Sequence, residues 1–164
     1  MDELSRLFVP VHREGHRFLA IGLGATVLGF LVWSSLGWVL LLATLFVAYF
    51  FRDPSRVTPL REGLVVAAAD GEIIAIDEAQ PPTELGMPPG SRTRVSVHLS
   101  LFDVHVNRTP VAGRITRAVY IPGAFLNPTT DKASDDNERR SLAIEMASGD
   151  QVAVVQIAGV IARR

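Results

Sequence analysis

The chain has 164 residues, with 16 basic and 17 acidic side chains, 48% hydrophobic residues and no cysteine. This length allows one ordinary domain, or a smaller domain with an anchor, and the net charge of −1 argues against nucleic-acid binding, which normally requires a strong basic excess. The lack of cysteine excludes disulfides, a thiolate nucleophile and cysteine-containing metal sites.

The positive mean hydropathy of +0.27 has a local origin. Residues 18–51 contain no Asp, Glu, Lys, Arg or His. A single helix of this length would be about 51 Å long, well beyond the roughly 30 Å of hydrocarbon in a bilayer. The most polar and turn-prone stretch of the segment, Ser34-Ser35-Leu36-Gly37, lies at its middle. The sequence therefore predicts a membrane-embedded helical hairpin at 18–51.

Basic side chains flank both ends of the apolar segment. Arg13, His16 and Arg17 precede it, and Arg52 and Arg56 follow it. Because such charges favour the cytoplasmic side, we expect both ends there, with the rest of the chain on the cytoplasmic face of the cell membrane. A buried hairpin of a soluble protein is the alternative, but the aromatic residues near the ends of the segment are typical of membrane interfaces.

After residue 52 the pattern becomes strand-like. Leu64–Ala69 and Glu72–Ile76 predict a β-hairpin with Asp70-Gly71 as its two-residue turn. A proline-rich loop follows at 79–91. Apolar and polar residues then alternate through Arg94–Leu101, as in a half-buried strand.

Three further strands are predicted in the last third of the chain, at Val111–Ile121, Ser141–Ala147 and Gln151–Ala162. The expected fold class is a mainly β soluble domain, a small antiparallel barrel or sandwich, preceded by the N-terminal hydrophobic α-helical hairpin. The polar insert at 127–140 contains no large apolar residue, which predicts a loop or lid.

The strand pattern breaks after Leu101. Asp103, His105 and Asn107 fall on the face that the apolar residues of the strand had occupied. Two ionisable groups directed into a core would be costly unless they were paired. Either a bulge re-aims them into a polar pocket, or the strand ends at Phe102 and a solvated turn follows; periodicity does not decide between the two.

The other candidates have simple structural explanations when the pattern is taken alone. Asp70 precedes glycine, as a hairpin turn requires. His98 lies on the polar face of its strand, and His12 and His16 lie beside arginines at the membrane edge. With four histidines and no HExxH spacing, the sequence predicts no metal site.

Four stretches together resemble the short form of the phosphatidylserine decarboxylases. They are Phe50-Phe51-Arg52-Asp53-Pro54, Ala69-Asp70-Gly71, His98-Leu99-Ser100-Leu101-Phe102-Asp103-Val104-His105-Val106-Asn107-Arg108 and Asp131-Lys132-Ala133-Ser134-Asp135-Asp136-Asn137-Glu138-Arg139. Their order and spacing, behind an apolar hairpin, make the resemblance specific over nearly the whole chain.

The resemblance implies a self-processing, pyruvoyl-dependent carboxy-lyase. Such an enzyme converts phosphatidylserine to phosphatidylethanolamine and CO2 through a Schiff base with a pyruvoyl group that is generated from a serine. The implied partners are a small (alpha) chain that carries the pyruvoyl group, the phospholipid and the membrane, with a homodimer left open. The expected domains are a cytoplasmic N-terminal leader at 1–17, the membrane-embedded hairpin at 18–51 and a β-rich catalytic domain at 52–164.

The resemblance also assigns roles to individual residues. Asp70 matches the aspartate that supports serine activation during self-cleavage. His105 matches the histidine that assists decarboxylation or delivers the proton, a task that suits an imidazole. Where longer members have a second histidine, this chain has Arg108, so the self-cleavage base is left open between His98 and His105.

Substrate binding is assigned to His98, Asn107, Arg108 and Lys132. A headgroup with one phosphate and one carboxylate requires nearby cations. Four basic residues lie near the stretch 98–108 or in the predicted lid at 127–140: Arg108, Lys132, Arg139 and Arg140.

The family's late Gly-Ser cleavage motif does not occur before Arg164. We therefore expect a truncated large (beta) chain or a fragment of the proenzyme, with the serine donor beyond residue 164. The alternative is a non-catalytic, membrane-anchored lipoyl-like β module or a cleavage-dead homologue.

Overall fold

The computed structural model describes residues 9–59, 61, 63–126 and 136–162. The chain divides into two compact units. One comprises Met1–Pro59 together with Leu99–Val106, and the other comprises Leu60–His98 together with Asn107–Arg164. The first is called the hairpin unit below, and the second is called the β unit.

The part of the hairpin unit that the structure describes contains two α-helices, α1 at His16–Val32 and α2 at Ser34–Phe50. Trp33 separates the two helices because its backbone is extended (φ −160°, ψ 125°). It is both the C-cap residue of α1 and the N-cap residue of α2. The predicted helical hairpin is confirmed, and the break lies one residue before the polar stretch that was expected to contain it.

Small residues line the seam between the two helices. Thr26 and Thr44 are buried, and their hydroxyl oxygens lie 3.2 Å apart within hydrogen-bonding distance. A Cβ added to Gly22 would lie 2.7 Å from Oγ1 of Thr44, so glycine is needed for this close approach. Packing through small residues with a shared hydroxyl contact is typical of helices in lipid.

The outward faces of the hairpin are apolar and exposed. Ile21, Leu31, Trp33 and Leu42 each leave at least 66% of their surface uncovered. Arg13–Val32 has the length and composition to cross a membrane, whereas α2 is shorter. A 17-residue helix is about 25 Å long, slightly less than the roughly 30 Å of hydrocarbon. These features suit membrane association.

Backbone contacts close the open end of the hairpin. Val11 and Arg52 form an isolated antiparallel bridge. The N–H of His12 donates to the carbonyl of Phe51 at 2.8 Å, and the N–H of Asp53 donates to the carbonyl of Pro10 at 2.7 Å. The chain that leaves α2 therefore has a defined course through residue 53.

The described residues of the β unit form two antiparallel sheets. Strands β1 and β2 form one sheet, and β3, β4 and β5 form the other in sequence order. The bounds are Glu72–Ala79, Arg92–His98, Arg114–Ile121, Arg139–Glu145 and Gln151–Ile157. The predicted class, a mainly β domain behind a helical hairpin, is confirmed.

The predicted strand at Leu64–Ala69 is wrong. β1 pairs instead with β2, from Glu72 opposite His98 to Ala79 opposite Arg92. Residues 64–69 bond elsewhere: the N–H of Val66 donates to the carbonyl of Pro110, and the carbonyl of Ala68 accepts from the N–H of Arg108. Asp70-Gly71 is thus the entry to β1 rather than a two-residue hairpin turn.

The ends of the other predicted strands also shift. β2 ends at His98, three residues before the predicted end, because a turn follows at 100–103. β3 begins at Arg114 and β5 ends at Ile157, so both are shorter than their apolar patterns. The strand thus ends before the expected Phe102. The segment that follows is not simply a solvated turn, because Val104 is buried and His105 is partly buried.

The core of the β unit is small and partly polar. Leu85, Ala143 and Ile144 are each no more than 3% exposed. Asn137 is 1% exposed, and its amide bonds to the N–H and the carbonyl of Leu126 and to the carbonyl of Ala158. This one side chain therefore provides hydrogen-bond partners for the backbone at Leu126 and at Ala158, as a neighbouring strand would do.

Candidate active site

The segment Leu99–Val106 belongs to the hairpin unit and carries His105. Ser100 and Asp103 close a turn in this segment. The N–H of Asp103 donates to the carbonyl of Ser100 at 3.0 Å, and the N–H of Ser100 donates to Oδ2 of Asp103 at 2.7 Å. Hydrogen bonds from Ser100 hold the pKa of the Asp103 carboxyl below its usual value, and the charges of His105 and Arg52 add to the effect. The turn is therefore built around an ionised carboxylate.

Two contacts orient the imidazole of His105. Its Nδ1 lies 3.0 Å from the carbonyl oxygen of Asp103, and its ring stacks on Phe50 with centroids 4.2 Å apart and planes tilted by 30°. Since a carbonyl oxygen only accepts, Nδ1 is the donor and carries a proton. In the neutral ring Nε2 is then the acceptor, and it makes no hydrogen bond to any residue that the structure describes. This geometry leaves one nitrogen able to receive a proton.

The end of α2 holds the same segment. Oη of Tyr49 and Nη2 of Arg52 both donate to the carbonyl oxygen of Phe102, at 3.0 and 2.6 Å. The ring of Phe102 meets that of Phe46 edge-on, with centroids 6.3 Å apart. In the sequence, Phe50 belongs to a family-like stretch and Arg52 is also a flanking charge of the apolar segment. Sequence spacing cannot show that they lie beside His105 and Phe102.

Asp70, the second candidate, lies in the β unit at the entry to β1 and is partly buried. Gly71 follows with φ +143°, and a Cβ there would collide with the carbonyl oxygen of His98. Only glycine permits this approach, so Asp70 and the end of β2 are held as neighbours. His98 itself is partly buried at the last position of β2.

The structure brings Arg108 to the same stretch of chain. Its backbone N–H donates to the carbonyl of Ala68 at 2.7 Å, two residues before Asp70. Asn107 and Arg108 are exposed. Asp70, His98, Asn107 and Arg108 thus belong to one unit, whereas His105 belongs to the other. Lys132 and most of the predicted lid lie outside the described residues.

Arg139, one of the candidate cations, makes an ion pair. Its Nε lies 3.3 Å from Oε1 of Glu84, and the two side chains are 20% and 15% exposed. The hydroxyl of Ser141 donates to the same oxygen at 2.9 Å. Burial raises the pKa of Glu84, but hydrogen bonds from its own backbone, Ser141 and Arg139 outweigh burial, and the pKa lies below its usual value. Arg139 therefore forms a structural ion pair with Glu84. Arg140, the next candidate cation, is exposed.

Replacing Glu84 with glutamine should destabilise the protein in a pH-dependent way. Because folding lowers the pKa of Glu84, its stabilisation is present above the ordinary carboxyl range, about 4.3, and is lost as the pH falls through the lower folded value. We expect Glu84→Gln to lower the free energy of unfolding by about 1–3 kcal/mol at pH 7 and by much less near pH 3. Unfolding of the detergent-solubilised protein at both pH values measures this difference.

Glu145→Gln provides the matched control, since Glu145 pairs with an exposed arginine on the surface. Such a pair contributes about 0–1 kcal/mol. An equal loss of stability at pH 7 and pH 3 in Glu84→Gln would contradict the role assigned to the ionised carboxylate.

Known proteins resemble this chain over most of its length. Residues 43–164 match the family model described as phosphatidylserine decarboxylase. The chain is 57% identical over 164 residues to the phosphatidylserine decarboxylase proenzyme of Cereibacter sphaeroides, which covers 100% of this chain and 71% of that protein. It is also 57% identical over 155 residues to the phosphatidylserine decarboxylase proenzyme of Ruegeria pomeroyi, which covers 94% of this chain and 71% of that protein.

Proposed function

The chain belongs to the phosphatidylserine decarboxylase family, and from this premise we propose how its residues divide the reaction. The activity is that of a pyruvoyl-dependent carboxy-lyase, made as a proenzyme whose cleavage yields alpha and beta chains. A non-catalytic β module is not favoured by relatives that share 57% of their residues with the chain.

The pyruvoyl group, when present, supplies a carbonyl that serves as an electron sink for decarboxylation. It derives from a processed serine that is not shown in this chain. His105 suits chemistry at such a group. Its Nδ1 is engaged by the backbone carbonyl of Asp103, so Nε2 is the nitrogen left for proton exchange.

We assign proton transfer to Nε2 of His105. Decarboxylation would replace the carboxylate on the substrate carbon with a hydrogen, so a proton must be supplied there. Nε2, once it has taken up a proton, would deliver it from an imidazole that is already oriented. The observation that carries this assignment is the double constraint on the ring, a hydrogen bond from Nδ1 on one edge and the Phe50 ring on one face. A ring held in this way keeps one tautomer and one direction for its free nitrogen.

Asp70 is assigned to self-cleavage, and His98, Asn107, Arg108 and Lys132 are assigned to the headgroup. Arg108 is an exposed residue, and a guanidinium has the planar fork that matches a phosphate or a carboxylate. The backbone bond between Arg108 and Ala68 supports a shared location for the headgroup and the cleavage aspartate. His98 and His105 are both retained as candidates for the cleavage base.

The apolar hairpin supports a location at the cell membrane. With basic residues at both of its ends, we propose that it enters from the cytoplasmic side and returns to it, so that residues 52–164 act as the catalytic domain at that surface. Phospholipid substrate could then be used without leaving the bilayer. A homodimer is a further proposal, which light scattering of the detergent-solubilised enzyme would test.

Intact-mass analysis of the full-length gene product tests the proposed chemistry. We expect two chains, with a pyruvoyl group at the N-terminus of the small one. Borohydride treatment in the presence of phosphatidylserine should add substrate mass to the small chain and stop CO2 release. The same treatment without an amine substrate is the control. A single uncleaved chain that releases CO2 normally would contradict the proposal.

A further inference from the structure

Arg52 makes an unusual set of contacts where the chain leaves α2. Its Nη1 donates to the carbonyl of Tyr49 at 2.9 Å, and its Nη2 donates to the carbonyl of Phe102 at 2.6 Å. The guanidinium also lies over the Tyr49 ring, 3.8 Å from the centroid. One side chain thereby satisfies a helix-end carbonyl and fastens a segment that lies fifty residues away in sequence.

The backbone of Arg52 is itself held in place. Its N–H donates to the carbonyl of Tyr49 at 3.2 Å, and it forms the isolated bridge with Val11. A guanidinium on a fixed backbone, stacked on an aromatic ring, loses little further freedom when it binds a carbonyl. The contact with Phe102 is therefore more rigid than an ordinary surface hydrogen bond.

The fastened carbonyl is close in sequence to the candidate proton donor. Phe102 precedes Asp103, and the carbonyl of Asp103 is the group that accepts from Nδ1 of His105. The second contact that orients the imidazole is the ring of Phe50, which lies two residues before Arg52. Both constraints on the His105 ring thus lead back to the last turn of α2 and the residues that follow it.

We infer that Arg52 is a positioning residue for the decarboxylation reaction, since it ties the carbonyl of Phe102 to the end of the apolar hairpin and so sets the direction of the His105 imidazole. This inference rests on the role proposed for His105. Lysine could replace the charge and one hydrogen bond, but it lacks the planar fork that reaches two carbonyls at once.

Steady-state kinetics of the full-length, self-cleaved enzyme in phosphatidylserine–detergent micelles provide the first test. We expect Arg52→Gln to lower kcat by about 10- to 100-fold per small chain formed, as displacement of a catalytic group by about 1 Å can do. KM should change by less than about twofold, because no contact with substrate is lost. Arg52→Lys should recover part of the activity, and Tyr49→Phe, which removes the second donor to Phe102, should cause a smaller loss of the same kind.

Arg13→Gln is the matched control. It removes one positive charge at the same end of the hairpin, and among the described residues Arg13 has no side-chain bond to Leu99–Val106. Its kcat should stay within about twofold of that of the unaltered enzyme. A large rise in KM for Arg52→Gln with kcat preserved would show that Arg52 binds the headgroup, and it would overturn the inference.

A double-mutant cycle separates this inference from the proposed function. If Arg52 acts through His105, Arg52→Gln should change kcat by less than about twofold in a His105→Ala background. An undiminished effect of Arg52→Gln on the residual kcat of His105→Ala would overturn the positioning role, even though His105→Ala is itself strongly impaired. Full activity of His105→Ala would instead refute the role proposed for His105.

Discussion

Replacing His105 with alanine is expected to reduce decarboxylation by about 10²- to 10⁴-fold, the contribution of a positioned acid–base group. The fold should persist, because the imidazole is partly exposed and its contacts are one hydrogen bond and one ring stack. CO2 release should be measured per small chain formed, so that a slower self-cleavage is not mistaken for slower decarboxylation.

His16→Ala is the appropriate comparison for His105→Ala. His16 is an exposed histidine of the hairpin unit at the start of α1, and it is assigned no role in the reaction. Its activity should match that of the unaltered enzyme. Normal turnover by the cleaved His105→Ala enzyme would rule out proton transfer by His105. A variant that forms no small chain at all would assign His105 to self-cleavage instead.

Replacing Asp70 with asparagine is expected to slow chain cleavage by about 10²-fold or more, with little effect on the fold. Asparagine keeps the shape and turn preference of aspartate and removes only the negative charge. The proenzyme should therefore accumulate as one chain, which denaturing gels and intact mass would show over a time course. The small fraction that is cleaved should decarboxylate phosphatidylserine at a nearly normal rate.

Asp77→Asn provides the comparison, on the strand that Asp70 precedes. Asp77 is an exposed residue of β1 whose pKa lies below its usual value because Arg94 hydrogen-bonds to it. Losing this surface pair should leave cleavage unchanged. If Asp70→Asn matures as fast as Asp77→Asn, then Asp70 only shapes the chain before Gly71 and takes no part in the cleavage chemistry.

Several parts of the structure could be predicted because their signals are local. A charge-free run with a polar centre predicts two helices and a break, and the structure has that break at Trp33. The predicted strands at Ser141–Ala147 and Gln151–Ala162 are separated by only three residues, and β4 and β5 do pair there, from Glu145 opposite Gln151. In both cases the residues that decide the structure are neighbours in sequence.

The pairing of residues 64–69 could not be predicted in this way. Asp70-Gly71 between two apolar runs has the pattern of a hairpin turn, but the close approach of Gly71 to the carbonyl of His98 places β2 beside β1 instead. A dipeptide preference of this kind is weak compared with a full ladder between two long strands.

The sequence by itself determined the apolar hairpin, the β-rich remainder and the resemblance that singled out Asp70 and His105. Only the tertiary structure decided that Leu99–Val106 packs with the hairpin helices, where Arg52 and Tyr49 bind the carbonyl of Phe102 and Phe50 supports the imidazole. The physical reason is that these contacts join backbone carbonyls and side chains about fifty residues apart. A carbonyl is present at every residue, so no pattern in the sequence can show which one a distant guanidinium will bind.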